Sequence, residues 1–191
     1  WEPKRNHWLL PENNQMIKDQ RKAFFRLKQS DKWDQMPWYD QAQARFRSRK
    51  ALPYEAADVS DDAYYDGMVA NRTIKTLEQF SKKDKEPFFL AVGFIRPHLP
   101  FNAPKRYWDL YDPDKLPQAP VQQPPSGSPE FAIRSKELNQ YAGTPKDPNQ
   151  RLDPQLAEKL VHGYYASTSY VDAQVGRVLN KLEQLGLNDN T

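Results

Sequence analysis

An unbroken apolar run, Phe88-Phe89-Leu90-Ala91-Val92, stands between Pro87 and Gly93 and constrains this chain more than any other stretch. It is too short for an ordinary helix, and an apolar run without polar alternation fits a strand covered on both faces. The expected element is a central strand of a parallel sheet, with Phe89 and Leu90 buried between helices. Beyond Gly93 the chain turns polar and proline-rich through Phe94-Ile95-Arg96-Pro97-His98-Leu99-Pro100-Phe101-Asn102-Ala103-Pro104. Pro97, Pro100 and Pro104 restrict the backbone and cannot donate to a ladder, so the segment predicts a stiff loop. Open α/β sheets bind ligands beyond the carboxyl ends of their strands, and the side chains delivered there are Arg96 and His98. Two donor groups at that place suit an anion, although a His in such a loop also serves as an ordinary hydrogen-bonded structural residue.

The segment before the run predicts a helix over Ser60–Lys82. Ser60 or Asp61 suits its N-cap, Asp62 its first turn, and Ala70, Ile74, Leu77 and Phe80 form one apolar stripe. A short charged connection, Lys82-Lys83-Asp84-Lys85-Glu86, leads into the expected strand, giving the order helix, tight loop, buried strand. The acidic cluster at Asp58, Asp61 and Asp62 reads as capping rather than as a metal site, because no further ligands stand nearby at compatible spacing. Downstream, Lys105–Tyr111 predicts a short helix. Asp112–Asn149 is dense in proline and predicts an irregular crossing. The last segment predicts a long helix capped by Asp153 with Pro154 at its first position. Its apolar residues recur at threes and fours from Leu156 to Leu185, and Gly186 closes it.

The region 1–57 reads as helix and loop. Within it Lys18, Arg21, Lys22, Arg26, Lys28 and Lys32 lie among Phe24, Phe25, Trp33, Trp38 and Tyr39, a mixture of cations and ring faces that also binds single-stranded nucleic acid. Asp19, Asp31, Asp34 and Asp40 interrupt the pattern, which leaves a solvated helix face as the other explanation. A second cluster, Arg45, Arg47, Arg49 and Lys50, borders a loop ending at Pro53. With 38% hydrophobic residues and a mean hydropathy of −0.96, and with one strand predicted, the chain reads as a piece of a larger domain. It has no cysteine, which excludes disulfides and thiolate metal sites within it. No apolar run approaches the roughly 20 residues of a membrane helix, and the first residues do not resemble a signal peptide.

Gly93-Phe94-Ile95-Arg96-Pro97-His98-Leu99-Pro100-Phe101 behind an apolar run resembles a segment of the type I sulfatases, on the branch with iduronate-2-sulfatase and choline sulfatase. Tyr164-Tyr165-Ala166-Ser167-Thr168-Ser169-Tyr170-Val171-Asp172-Ala173-Gln174-Val175-Gly176-Arg177-Val178-Leu179 is a second such stretch. The resemblance covers Ser60–Thr191 well and Trp1–Ala57 loosely. It implies an α/β fold of the alkaline phosphatase-like class, a mainly parallel sheet sandwiched by helices. Within one catalytic domain the chain divides into 1–57, the helix–strand–site unit 58–104, the crossing 105–150 and the long helix 151–191. The resemblance further implies hydrolysis of a sulfate ester of a small molecule or glycan, with formylglycine and calcium as cofactors and a periplasmic or secreted location. His98 takes the place of the family's sulfate-contacting His and is the catalytic candidate. Arg96 is expected either to hold a sulfate or sugar carboxylate or to turn to solvent, and Asp172, Gly176 and Arg177 are expected to fix helix packing. The formylglycine motif, Cys/Ser-x-Pro-x-Arg, and the calcium-binding aspartates are not in this sequence, so these 191 residues supply no metal ligand and are expected to be inactive alone. Two alternatives remain open: a phosphodiester or phosphonate-ester hydrolase of the same superfamily, and a nucleic-acid-binding module built on the basic aromatic region.

Overall fold

The computed structural model describes residues 7–82, 87–117, 119–121, 125–129, 137–147 and 150–191. The first six residues, the charged connection at 83–86, and Pro124 and Pro148 of the proline-rich crossing lie outside them. Helix α1, Pro11–Lys28, opens with proline at its start, where a missing amide donor costs nothing. Glu12 in its first turn and Arg26 and Lys28 in its last suit the helix dipole. Helices α2, Asp31–Gln35, and α3, Trp38–Arg47, follow in the region 1–57 read as helix and loop, which also holds a two-residue strand. Strand β1, Tyr54–Glu55, precedes helix α4, Tyr65–Phe80. Strand β2, Phe101–Asn102, then leads into α5, Lys105–Trp108, and the chain finishes on α6, Pro154–Gln184.

The sheet corrects the sequence-based expectation. Among the described residues it consists of β1 and β2, paired in parallel with Tyr54 opposite Phe101 and Glu55 opposite Asn102. Phe88–Val92 has no ladder partner among the described residues. It runs past α4 with the Phe88 ring 4.8 Å from that of Phe80, and Phe89 is 91% exposed. Apolar composition states that a segment favours cover; it does not supply the flanking strand whose amides and carbonyls complete a ladder. The observed architecture, helical with a small parallel sheet, is compatible with the expected α/β class.

The helical expectations fare better. Ser60 begins a 3-10 turn, Asp61–Ala63, rather than α4 itself, and its hydroxyl donates to Asp62 Oδ1 at 2.6 Å. From the apolar stripe of α4, Ala70 and Leu77 are buried. Asp153 caps α6 by accepting from the amides of Gln155 and Leu156, and Gly186 adopts φ +65° just beyond the helix end. Among its described residues the crossing holds the 3-10 turns Pro113–Lys115 and Leu138–Gln140.

Helices α4 and α6 pack on each other over a core of Ala57, Tyr64, Ala103, Tyr107, Trp108, Ala166 and Tyr170. Tyr170 Oη accepts from the Gly67 amide at 2.7 Å and donates to the Asp61 carbonyl at 2.9 Å. A Cβ on Gly67 would lie 2.0 Å from that same carbonyl, so the junction of the 3-10 turn with α4 requires glycine. Of the three residues expected to fix helix packing, Arg177 does so, reaching Asn71 on α4 and Gln174 on its own helix. Gly176 faces open space and Asp172 is exposed, so that expectation is corrected for both.

Candidate functional site

The loop carrying Arg96 and His98 is held from beneath by α4. Asp66, 1% exposed, accepts from the amide of Ile95 through Oδ1 and from that of Arg96 through Oδ2, both at 2.9 Å. A buried carboxylate gripping two successive amides is a strong local clamp, because both bonds are charge-assisted. Arg96 then turns inward. Its Nε donates to the carbonyl of Asn102 at 2.9 Å and a terminal nitrogen donates to that of His98 at 3.3 Å. Burial lowers the pKa of the guanidinium from its ordinary value, and the Asp66 charge is the first of the effects opposing that shift. Arg96 is therefore buried rather than turned to solvent, and among the described residues it is not part of the lining of the cavity at His98.

His98 is on the outside, with 61% of its side chain exposed. Its Nδ1 lies 2.8 Å from the Leu99 carbonyl. A carbonyl only accepts, so Nδ1 carries a proton there. This leaves Nε2, 3.4 Å from Glu137 Oε2. Glu137 is shared with Lys50, whose amine stands 3.6 Å from it and 4.1 Å from the centre of the Tyr141 ring. Burial holds the Lys50 amine below its ordinary pKa, and Glu137 partly offsets this.

These groups line an open cavity of about 450 Å³, walled by His7, Trp8, Phe46 and Arg49 as well as by His98, Lys50, Glu137 and Tyr141. The N-terminal wall is tied down by the two paired strands. Glu55 on β1 accepts from the amides of Leu9 and Leu10, from Asn13 Nδ2 and from Tyr64 Oη, at 2.7 to 3.0 Å. Asn102, opposite it on β2, donates to the carbonyl of His7. Trp8 Nε1 donates to the Leu52 carbonyl at 2.9 Å. Cations, an imidazole and ring faces around an open cavity suit an anionic group carried on a carbon skeleton.

Sequence reasoning singled out His98, and the structure places it on the cavity. It missed Asp66, which reads in sequence as an ordinary acid early in a helix. It also missed Glu137, which no spacing relates to His98, and it took Lys50 for the border of a loop. Among the described residues no group of three or more His, Asp or Glu could hold a metal, and the chain has no Cys. The calcium and the formylglycine that the resemblance implies are expected to rest on residues outside these 191.

The family model described as Sulfatase matches residues 7–191. Human iduronate 2-sulfatase is 34% identical over 145 residues, covering 73% of this chain and 26% of the relative. The mouse iduronate 2-sulfatase is 32% identical, covering 85% of this chain and 30% of the relative. An arylsulfatase of Clostridium perfringens is 27% identical over 203 residues, covering 99% of this chain and 40% of the relative. The chain thus spans less than half the length of these relatives.

Proposed function

We propose, from the premise that this chain belongs to the sulfatase family, that it is part of an enzyme hydrolysing a sulfate ester and that His98 is its residue at the ester. The observation that supports this is the contrast within one loop. Arg96 is buried and bound to backbone carbonyls, whereas His98 is exposed on a cationic cavity with one ring nitrogen committed to Leu99 and the other turned toward Glu137.

As the bond between sulfur and the leaving oxygen breaks, negative charge grows on that oxygen. With Nδ1 protonated toward Leu99, a donor at Nε2 is the imidazolium; its Nε2 proton either passes to the departing alkoxide, leaving the neutral Nδ1–H ring, or hydrogen-bonds a sulfate oxygen, and both lower the barrier. Arg96 acts through the loop, holding the His98 carbonyl so that the imidazole meets the substrate without reorganising. Lys50 and Arg49 add positive charge on the same wall. Calcium and formylglycine enter this proposal only as groups implied by the family, with their residues outside these 191. By the same reasoning the 191 residues alone turn over no aryl sulfate, and the complete protein works in the periplasm or outside the cell.

The test is to assay the full-length protein against 4-nitrophenyl sulfate, 4-nitrophenyl phosphate and bis(4-nitrophenyl) phosphate. Preference for the sulfate by at least 100-fold in kcat/KM supports the proposal. Preference for either phosphate ester would refute it in favour of phosphoester chemistry.

A further inference from the structure

The Glu137 carboxylate stands between an amine and an imidazole carried by separate parts of the fold. Its Oε1 lies 3.6 Å from the amine of Lys50, in the turn after α3, and its Oε2 lies 3.4 Å from Nε2 of His98, on the loop between α4 and β2. One oxygen thus faces each group, as two oxygens of a sulfate would, and all three side chains line the same open cavity. The Lys50 amine also rests 4.1 Å from the centre of the Tyr141 ring, so packing as well as charge fixes its place. Both contacts of Glu137 are longer than a full hydrogen bond, and partly exposed ion pairs of this kind are weak. The carboxylate is therefore released at small cost.

The backbone that carries Glu137 is held in place. The Gln140 amide donates to the Glu137 carbonyl at 3.0 Å, and the Ala142 amide donates to the carbonyl of Ala51, next to Lys50, at 2.9 Å. The Thr144 hydroxyl reaches the carbonyls of Leu138 and Tyr141 at 2.9 and 2.8 Å. Withdrawal of the carboxylate accordingly needs rotation of one side chain between staggered torsions, with the turn itself unmoved. With Nδ1 of His98 committed to Leu99, Nε2 is the nitrogen that meets an ester, and Glu137 occupies the position in front of it. We infer that the Glu137 carboxylate is a built-in occupant of the anion place between His98 and Lys50, that the sulfate of an arriving ester displaces it, and that this exchange sets the affinity of the site. The sulfatase reading supplies the identity of the incoming group, and the three side chains supply the place. Between turnovers the carboxylate turns away weakly binding anions. After hydrolysis it competes with free sulfate for the same two groups and hastens its release.

The experiment compares the full-length protein with its Glu137→Gln and Glu137→Asp variants at about pH 6, well below the range of an ordinary amine. Binding of inorganic sulfate is measured by titration calorimetry, and kcat and KM for 4-nitrophenyl sulfate are followed in parallel. Glu137→Gln should bind sulfate at least about fivefold more tightly, the factor expected when one or two exposed ion pairs no longer compete, and KM should fall in step with kcat little changed. Glu137→Asp keeps the charge but withdraws it by one methylene, so it should also bind sulfate more tightly than the wild type. Adding His98→Ala to Glu137→Gln should erase the gain, which places the bound sulfate at His98. Unchanged sulfate affinity in Glu137→Gln would overturn the proposal. So would a fall in kcat with KM and sulfate affinity unchanged, which marks Glu137 as a positioning residue for His98. Wild-type affinity in Glu137→Asp would also overturn it, because only the net charge would then matter. Tighter sulfate binding in Glu137→Gln, lost with His98→Ala, from a wild type that hydrolyses no sulfate ester would support the exchange and refute the sulfatase reading alone.

Discussion

Replacing Asp66 by alanine separates what holds the site from what the site does. Asp66 is 1% exposed and accepts two backbone donors, the amides of Ile95 and Arg96, at 2.9 Å each. Hydrogen bonds to a charged group contribute about 1.5 to 3 kcal/mol each, so the pair accounts for roughly 3 to 6 kcal/mol. The same substitution leaves Arg96, which is 6% exposed, without the counter-charge that opposes its desolvation. That loss of charge acts in the same direction as the two lost hydrogen bonds. Equilibrium unfolding of Asp66→Ala in denaturant should therefore show a loss of at least about 3 kcal/mol, with kcat/KM on a sulfate ester falling as the Ile95–Pro100 loop loses its anchor. A loss below about 1 kcal/mol would refute the clamp, since surface substitutions stay within about half that.

Two further expectations follow from buried groups. Burial raises the pKa of Tyr64, Tyr141 and Tyr170 above the ordinary 10.0. The unfolded chain ionises these residues from pH 10 upward and the folded chain does not, so their contribution is intact below pH 10. It is then lost at up to about 1.4 kcal/mol per pH unit for each group. Tyr170→Phe should reduce that slope by up to about 1.4 kcal/mol per pH unit in unfolding measured above pH 10, and an unchanged slope would contradict the assignment. Glu137→Gln removes the charge that offsets the desolvation of Lys50, so the Lys50 amine becomes neutral at lower pH. Its acylation near pH 8, followed by peptide mass spectrometry, should quicken several-fold, and an unchanged rate would show that Glu137 is not its counter-charge.

The parts legible in sequence are those that depend on local rules. Asp153, Pro154 and Gly186 bound α6 by capping and backbone preference, and its apolar spacing set its face. The loop prolines located His98 because restricted backbone is visible residue by residue. What was not legible depends on partners distant in sequence. Phe88–Val92 reads as a strand, yet a ladder needs a neighbour that no property of these five residues provides. Tyr54–Glu55 and Phe101–Asn102 pair across 47 positions with only two residues each, too few to show alternation. Sequence left Arg96 open between holding an anion and turning to solvent, because its burial rests on Asp66, 30 positions earlier, and on the carbonyl of Asn102.

The central claim is that His98 meets the scissile ester, and His98→Ala in the full-length protein tests it most directly when turnover and unfolding are measured on the same sample. With its side chain 61% exposed, the substitution should leave stability within about 0.5 kcal/mol. It should lower kcat on a sulfate ester by about 100-fold or more with a smaller change in KM. A lowered unfolding free energy with kcat unchanged would contradict the account and return His98 to a structural role.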